Sequence, residues 1–251
     1  MMHDDTHIGG AGSRFPQTRG SAIIAARSGD AETRNRGYAA LVAGYWKPVY
    51  KYIRLKWHQS NEDAKDLTQG FFAQAMEKEF FQGYDPAKAR FRTFLRTCLD
   101  GYIANENKAG KRLKRGGNAQ IMGLDFENAE GEIRELQLSA GTVPEDFFER
   151  ESLRSLFEVA LARLKEACET AGKMQHYRIF ERYDLREDEA EKITYDQLAA
   201  EFDLPVSQIT NHLAYVRREF RRLVLEILRE LTASDEEFRS EVREVLGVDP
   251  E

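Results

Sequence analysis

The sequence has little of what membrane, secreted and metal-binding proteins need. Only two of its 251 residues are cysteines, Cys98 and Cys168, and their separation does not give metal-ligand spacing. No apolar run approaches the roughly 18 residues that cross a bilayer. The N-terminal stretch 1–20 also lacks the apolar core of a secretory signal. These absences favour a cytoplasmic protein that binds no metal, cofactor or membrane.

Proline is scarce as well, with six residues in the chain, and no segment shows the pattern of a convincing strand. Apolar residues instead recur at helical spacing, so the sequence predicts an all-α fold of two helical domains. We expect a disordered tail over 1–20, a first domain over 21–115, an acidic linker over 116–143, a second domain over 144–231 and a C-terminal helical extension over 232–251.

Capping patterns predict where several of these helices begin. A side-chain oxygen followed three residues later by an acidic residue or an amide marks a helix start, and this pattern occurs at Ser60, Thr142, Thr194 and Ser234. Two further starts are predicted at Asp85, which precedes Pro86, and at Ser207. In addition, Pro48 predicts a helix start or a kink.

Charge is segregated along the chain, although the net charge is only −6. Residues 84–115 carry nine basic and three acidic residues, whereas residues 120–151 carry two basic and nine acidic ones. Local fields govern binding more than the sum does, so the basic block is a candidate nucleic-acid surface. Its Phe91 and Phe94 fall at helical spacing, which favours a place in the core.

Residues 194–222 have the proportions of a helix-turn-helix: a short helix, a break at 203–205 and a longer helix. A small core is expected from Leu198, Ala199, Val206, Ile209 and Leu213. Polar side chains near the start of the second helix could reach base edges, and arginines further along could neutralise phosphates. These residues are Ser207, Gln208, Thr210, Asn211, His212, Arg217, Arg218, Arg221 and Arg222.

The carboxylates Asp63 and Asp66 share a helix face, which raises the alternative of a phosphotransfer enzyme or a metal-dependent hydrolase. No histidine or cysteine accompanies them, and no phosphate loop, H-E-x-x-H motif or Ser/His/Asp spacing occurs. A non-enzymatic acidic face that docks a basic partner explains the pattern better, so we predict neither catalytic residues nor metal ligands.

Three segments, in this order, resemble the extracytoplasmic-function sigma factors of bacterial RNA polymerase. Residues 63–72 (DAKDLTQGFF) resemble the family's D-A-x-D-L-T-Q-x-x-F motif, 91–96 (FRTFLR) its F-R-T-W-L stretch, and 194–223 its region 4. The segments FPQTR at 15–19 and YWKPVY at 45–50 resemble a longer-fronted subgroup often associated with Ser/Thr kinase signalling.

The resemblance implies a sigma factor that binds core RNA polymerase and promoter DNA. Its region 2 would cover the first domain and its region 4 the second, which would also contact the polymerase β flap. The residues implied to face the β′ clamp coiled coil are Asp63, Asp66, Leu67 and Gln69. Those implied to serve the downstream (−10) element are Arg90, Arg92, Phe94, Arg96, Asn105, Lys108, Lys111, Arg112, Lys114 and Arg115. The upstream (−35) element would be served by Ser207, Gln208, Thr210, Asn211, His212, Arg217, Arg218 and Arg221.

Three departures from the family pattern leave alternatives open. Gly101 stands where many relatives carry asparagine, Lys65 replaces a usual acid, and Asp203 sits where many helix-turn-helix turns place glycine. A free-standing helix-turn-helix regulator and a sigma-like adaptor without specific promoter reading are therefore kept beside the sigma factor. Regulation by an anti-sigma protein or by a Ser/Thr kinase is left open.

Overall fold

A computed structural model describes residues 21–108, 124–135, 146–186 and 193–248. These ranges contain ten α-helices, a short 3₁₀ turn at Phe80–Gly83 and no strand. The helices are α1 (Ala22–Ala26), α2 (Ala31–Lys56), α3 (Asn61–Glu77), α4 (Phe91–Lys108), α5 (Phe126–Glu135), α6 (Phe147–Thr170), α7 (Met174–Asp184), α8 (Tyr195–Phe202), α9 (Val206–Glu230) and α10 (Asp235–Leu246). The prediction of an all-helical chain is confirmed for these residues.

Side-chain caps set several helix starts, as the sequence predicted. Ser60 accepts the backbone N–H of Asp63 at 3.1 Å, and Ser234 accepts that of Glu237 at 3.1 Å. Thr194 and Gln197 form a full capping box at the start of α8. Each such cap satisfies a backbone donor that has no partner within the helix, which typically stabilises the helix by about 1 kcal/mol.

Two predicted helix starts were wrong. The turn at Asp85 and Pro86 does not begin a helix, because α4 starts only at Phe91. Ser207 does not cap α9, which begins at Val206 directly after Pro205, so Ser207 lies inside the first turn. Pro48 falls within helix α2, which excludes the helix start there and leaves the kink a prediction. The predicted cap Thr142 lies outside the described residues.

The first hydrophobic core is built around α2. Helices α1, α3 and α4 surround α2, and the start of α6 adds Phe147 and Phe148 to this core. Close approach of α1 explains Gly37 in the middle of α2, since a Cβ there would lie 2.3 Å from the backbone nitrogen of Ala26. Helix packing of this kind requires a residue without a side chain.

Helix α5 lies within the segment predicted to be an acidic linker, where no helix was expected. Phe126 makes edge-on contacts with Trp46 and Tyr50 of α2, and Ala129 is fully buried. The acidic composition that suggested a linker therefore includes a helix docked on the first core. The division into two domains joined by a linker stays a prediction.

Helix α6 continues from the first core into two further apolar clusters. Its C-terminal part joins α7, α8 and α9 through Leu164 and Cys168. Its middle part joins the end of α9 and α10 through Leu156 and Ala160. Among the described helices, none is both long enough and apolar enough to cross a membrane.

Candidate functional site

Helices α8 and α9 form a helix-turn-helix. Leu198 of α8 is fully buried against Ile209 and Leu213 of α9, which confirms these three predicted core positions. Ala199 is only partly buried at the edge of this cluster, and Val206, also predicted for the core, is exposed. The buried contacts fix the angle of α9 relative to α8.

The turn between these helices depends on Asp203. Its backbone is left-handed, with φ of 52°, and the following Leu204 donates its N–H to the carbonyl of Ala199 at 3.0 Å. Glycine adopts this conformation without steric cost, whereas an aspartate pays part of that cost and is among the more tolerant residues. The departure seen in the sequence is therefore compatible with a tight turn.

One face of α9 carries an exposed stripe of small, polar and basic side chains with helical spacing. The stripe consists of Ser207, Asn211, Ala214, Arg218 and Arg221, and every member is exposed. Exposed Gln208 borders it near the start of the helix. Small or amide side chains at the N-terminal end and arginines further along match what a helix needs to enter a major groove and hold phosphates.

Three other residues assigned to the upstream element make contacts within the chain. Thr210 donates its hydroxyl to the carbonyl of Ser207 at 2.9 Å. Arg217 forms a two-point ion pair with Asp184 of α7 at 2.9 and 2.7 Å. His212 stacks on His176 of α7 with ring centroids 3.7 Å apart. These residues lie beside the exposed stripe, and two of them join α9 to α7.

The stacked histidines resist protonation because burial and, for His176, neighbouring positive groups disfavour the charged imidazole. Burial lowers the pKa of both imidazoles, and His212 and Lys173 lower that of His176 further. Tyr215 lies edge-on to His176, and the guanidinium of Arg218 lies 5.6 Å from the centroid of the Tyr215 ring. The folded environment therefore disfavours the protonated form of both imidazoles.

Acidification is expected to destabilise this contact. The unfolded chain takes up protons on both imidazoles below about pH 6.5, whereas the folded pair resists them. The unfolded state then binds more protons, so stability falls from about pH 6.5 down to the folded pKa values. In urea unfolding at about pH 7 and about pH 5, His176→Phe/His212→Phe should lose less stability on acidification than the parent chain.

Tyr215→Phe is the control for this prediction, since it keeps the ring beside His176 and leaves both imidazoles in place. It should retain the parent's pH dependence. If the double histidine variant loses as much stability on acidification as the parent, the pair contributes nothing to that dependence.

The acidic face of α3 presents Asp63 and Asp66, which are both exposed. Asp63 also accepts the hydroxyl of Ser60 at 2.7 Å, which fixes its position at the first turn. Leu67 was predicted to share this polymerase face, but it is only 8% exposed and belongs to the first core. Gln69 is half-buried. The exposed part of the predicted polymerase face is therefore carboxylate.

Helix α4 divides the residues assigned to the downstream element. Arg92 is only 5% exposed, Phe94 packs on Tyr84 and Phe91, and Arg96 is half-buried. These three positions are built into the protein, so the assignment of Arg92 to a free DNA-facing surface is wrong for this conformation. The expectation that Phe91 and Phe94 belong to the core is confirmed, Phe91 fully and Phe94 in part.

Further along α4, an open face remains. It carries Thr97, Gly101, Asn105 and Lys108 at helical spacing, all exposed. A side chain at Gly101 would meet open space. The remaining basic residues of this assignment, Lys111, Arg112, Lys114 and Arg115, lie outside the described residues.

Two clusters of ion pairs were missed by sequence reasoning. Lys47 and Lys51 of α2 bind Glu132 of α5 at 2.7 and 2.6 Å, and Arg54 binds Glu130 at 2.6 Å. The second cluster joins Arg90 and Arg92 to glutamates of α10. Regular spacing of basic residues on α2 was a signal in the sequence, but their partners are far away along the chain.

No protein-family model, curated protein or solved structure matches the chain. Within the described ranges, no group of three or more potential ligands could hold a metal ion. The features that point to a function are therefore the helix-turn-helix, with its exposed stripe on α9, and the acidic face of α3.

Proposed function

We propose that this chain is a bacterial sigma factor that binds core RNA polymerase and promoter DNA and catalyses no reaction itself. The observation that carries the proposal is the exposed stripe on α9, which a helix-turn-helix presents along one face. The order of segments that resembles extracytoplasmic-function sigma factors supports it. This function would place the protein in the cytoplasm, where core polymerase works.

On this proposal the chain has two working halves. The first, over 21–115, docks on the β′ clamp coiled coil through Asp63 and Asp66 of α3 and serves the downstream element through α4. The second, over 144–231, holds the upstream element through α9 and contacts the β flap. The segment 116–143 joins the two, with α5 inside it.

DNA binding by α9 would combine two kinds of contact. Asn211 and Gln208 carry amides, which can make paired hydrogen bonds to adenine in the major groove. Arg218 and Arg221 lie one turn apart on the same stripe, where they can hold successive phosphates of one strand. The first kind gives sequence preference, and the second gives most of the salt-dependent affinity.

A sigma-like adaptor without specific promoter reading is the second candidate. The buried ion pairs of Arg92 and the absence of a side chain at Gly101 favour it, because both reduce what α4 can offer to bases.

Co-purification with core RNA polymerase, followed by sequencing of the retained DNA, tests the proposal. A two-part motif near transcription start sites is the expected result. Retention without a motif would favour the adaptor. No retention would overturn the proposal and favour a free-standing regulator that binds operators as a dimer.

The role of the stripe on α9 can be measured with Arg218→Ala and duplex promoter DNA. We expect weaker binding and a plot of log affinity against log salt whose slope is smaller by about one, because one phosphate contact is lost. Arg36→Ala, which removes an exposed arginine from α2, is the control and should change neither value. An unchanged slope for Arg218→Ala would remove that residue from the DNA surface.

A further inference from the structure

Helix α10 places a row of three glutamates against the start of α4. Glu237, Glu241 and Glu244 are four and three residues apart, so they follow one face of the helix. Two apolar side chains of α10, Phe238 and Val242, are buried against α6 and α9. This glutamate row is the part of α10 that meets α4.

Glu237 caps α4 from a distance in the sequence. Its carboxylate accepts the backbone N–H of Phe91 at 3.2 Å and the hydroxyl of Tyr84. The first N–H groups of a helix have no partners within it, and a carboxylate at this end is also favoured by the helix dipole. Since Arg90 before the helix offers no acceptor side chain, α10 supplies the cap.

Glu241 and Glu244 hold the two arginines at this end of α4. Arg92 donates to Glu241, to Glu244 at 2.8 Å and to Glu149 of α6. Arg90 pairs with Glu244, and its Nε lies 3.4 Å from Glu241. Both guanidinium groups are therefore occupied by carboxylates.

Glu241 and Glu244 lie close together in this cluster. They are one turn apart on α10, and both contact Arg90 and Arg92. Burial raises the pKa of Glu241, and the charge of Glu244 raises it further against the pull of Arg92 and Arg90. Like charges at this spacing repel, which weakens the hold of α10 on α4.

We propose that α10 is a removable cover over the start of α4, and that Glu241 and Glu244 compete with a DNA strand for Arg90 and Arg92. Carboxylate and phosphate oxygens accept from guanidinium in the same paired geometry, so one can replace the other. The inference builds on the proposed function: it adds that the part of the downstream surface formed by Arg90 and Arg92 is closed in the free protein.

Competition of this kind works in both directions. If α10 lowers the affinity of α4 for DNA, then bound DNA must loosen α10 by the same factor. Two independent measurements follow, one on DNA affinity and one on the exposure of α10.

The first measurement uses the full chain and a labelled single-stranded DNA of about 12 nucleotides of mixed sequence. Glu241→Gln and Glu244→Gln should each raise its affinity about fivefold or more, a factor within the usual range of coupling between sites. Glu236→Gln is the matched control, because it removes the same charge from an exposed position on α10. It should change the affinity by less than about twofold.

Arg90→Ala combined with Glu244→Gln tests the origin of the gain. If the released arginines bind the strand, the gain of Glu244→Gln should be lost in the double variant. A gain that persists without Arg90, or gains no larger than that of Glu236→Gln, would overturn the inference.

The second measurement needs no substitution, so it stands even if Glu241→Gln fails to fold. Hydrogen exchange of the α10 amides should become faster when the parent chain is saturated with the oligonucleotide. Exchange that is unchanged or slower would overturn the inference. Duplex binding by α9 in the same samples separates the outcomes: if it persists, only the cover is refuted, and if no variant binds either DNA, the proposed function fails as well.

Discussion

Asp63→Lys combined with Asp66→Lys is expected to lower affinity for core RNA polymerase by about 100-fold. Both carboxylates are exposed at the start of α3, so they can meet a basic partner without rearrangement. Reversing two charges turns attraction into like-charge repulsion at the same contacts, which costs several kcal/mol. The measurement is a binding titration of the labelled chain with core enzyme.

The matched control reverses two other acids that are three residues apart. Glu166 and Glu169 are exposed on α6, and Glu166→Lys/Glu169→Lys changes the net charge by the same amount. It should leave polymerase affinity within about threefold of the parent. Equal losses in both double variants would reveal a general effect of charge and remove Asp63 and Asp66 from the docking face. Thermal unfolding should show that both variants remain folded.

Lys51→Met is expected to lower the free energy of unfolding by about 3–5 kcal/mol. The Lys51 side chain is fully buried, with its Nζ 2.5 Å from Glu151 and 2.6 Å from Glu132. Methionine keeps the length of the side chain but leaves buried Glu151 and half-buried Glu132 without their shared cation. Urea unfolding measures the difference in free energy.

Lys65→Met is the control, because Lys65 pairs with an exposed glutamate, Glu62, on the surface of α3. Surface pairs contribute between about 0 and 1 kcal/mol, so the loss should be small. Adding Glu151→Gln to Lys51→Met should recover part of the stability by removing an orphaned charge. If Lys51→Met lowers the free energy of unfolding no more than Lys65→Met does, the buried ion pairs of Lys51 stabilise the protein no more than a surface pair.

The parts of the fold that could be predicted are those determined by nearby residues. Apolar spacing placed Leu198, Ile209 and Leu213 in one core, and capping residues placed the starts of α3, α8 and α10. These signals act over three to four residues, the range over which a helix repeats. A single sequence therefore contains them in full.

What could not be predicted depends on residues that meet only in the folded chain. The cap of α4 comes from Glu237, which is 146 residues from Phe91, and the partner of Lys51 is 100 residues away. Arg92 was predicted to be free to bind DNA, because its carboxylate partners Glu149, Glu241 and Glu244 are all distant in the sequence. The stacking of His212 on His176 of α7 is likewise a contact between helices that no local pattern indicates.

The acidic segment before α6 shows a second limit of sequence reasoning. Its charge suggested a solvated tether, yet Glu130 and Glu132 bind basic residues of α2, and Phe126 anchors the helix. Acidic runs are normally solvated, so composition alone predicts an exposed segment. That prediction fails where basic residues of another helix, as in α2, lie opposite the acids in the folded protein.

The continuity of α6 has a consequence for synthesis on the ribosome. Phe147 and Phe148 belong to the first core, so helices α1 to α4 emerge with part of their apolar surface uncovered until residue 148 has left the exit tunnel. The same helix then carries residues that pack against α7, α8 and α9. A nascent chain without α6 therefore exposes apolar surface that the folded protein buries, and this interval is when a chaperone would be needed most.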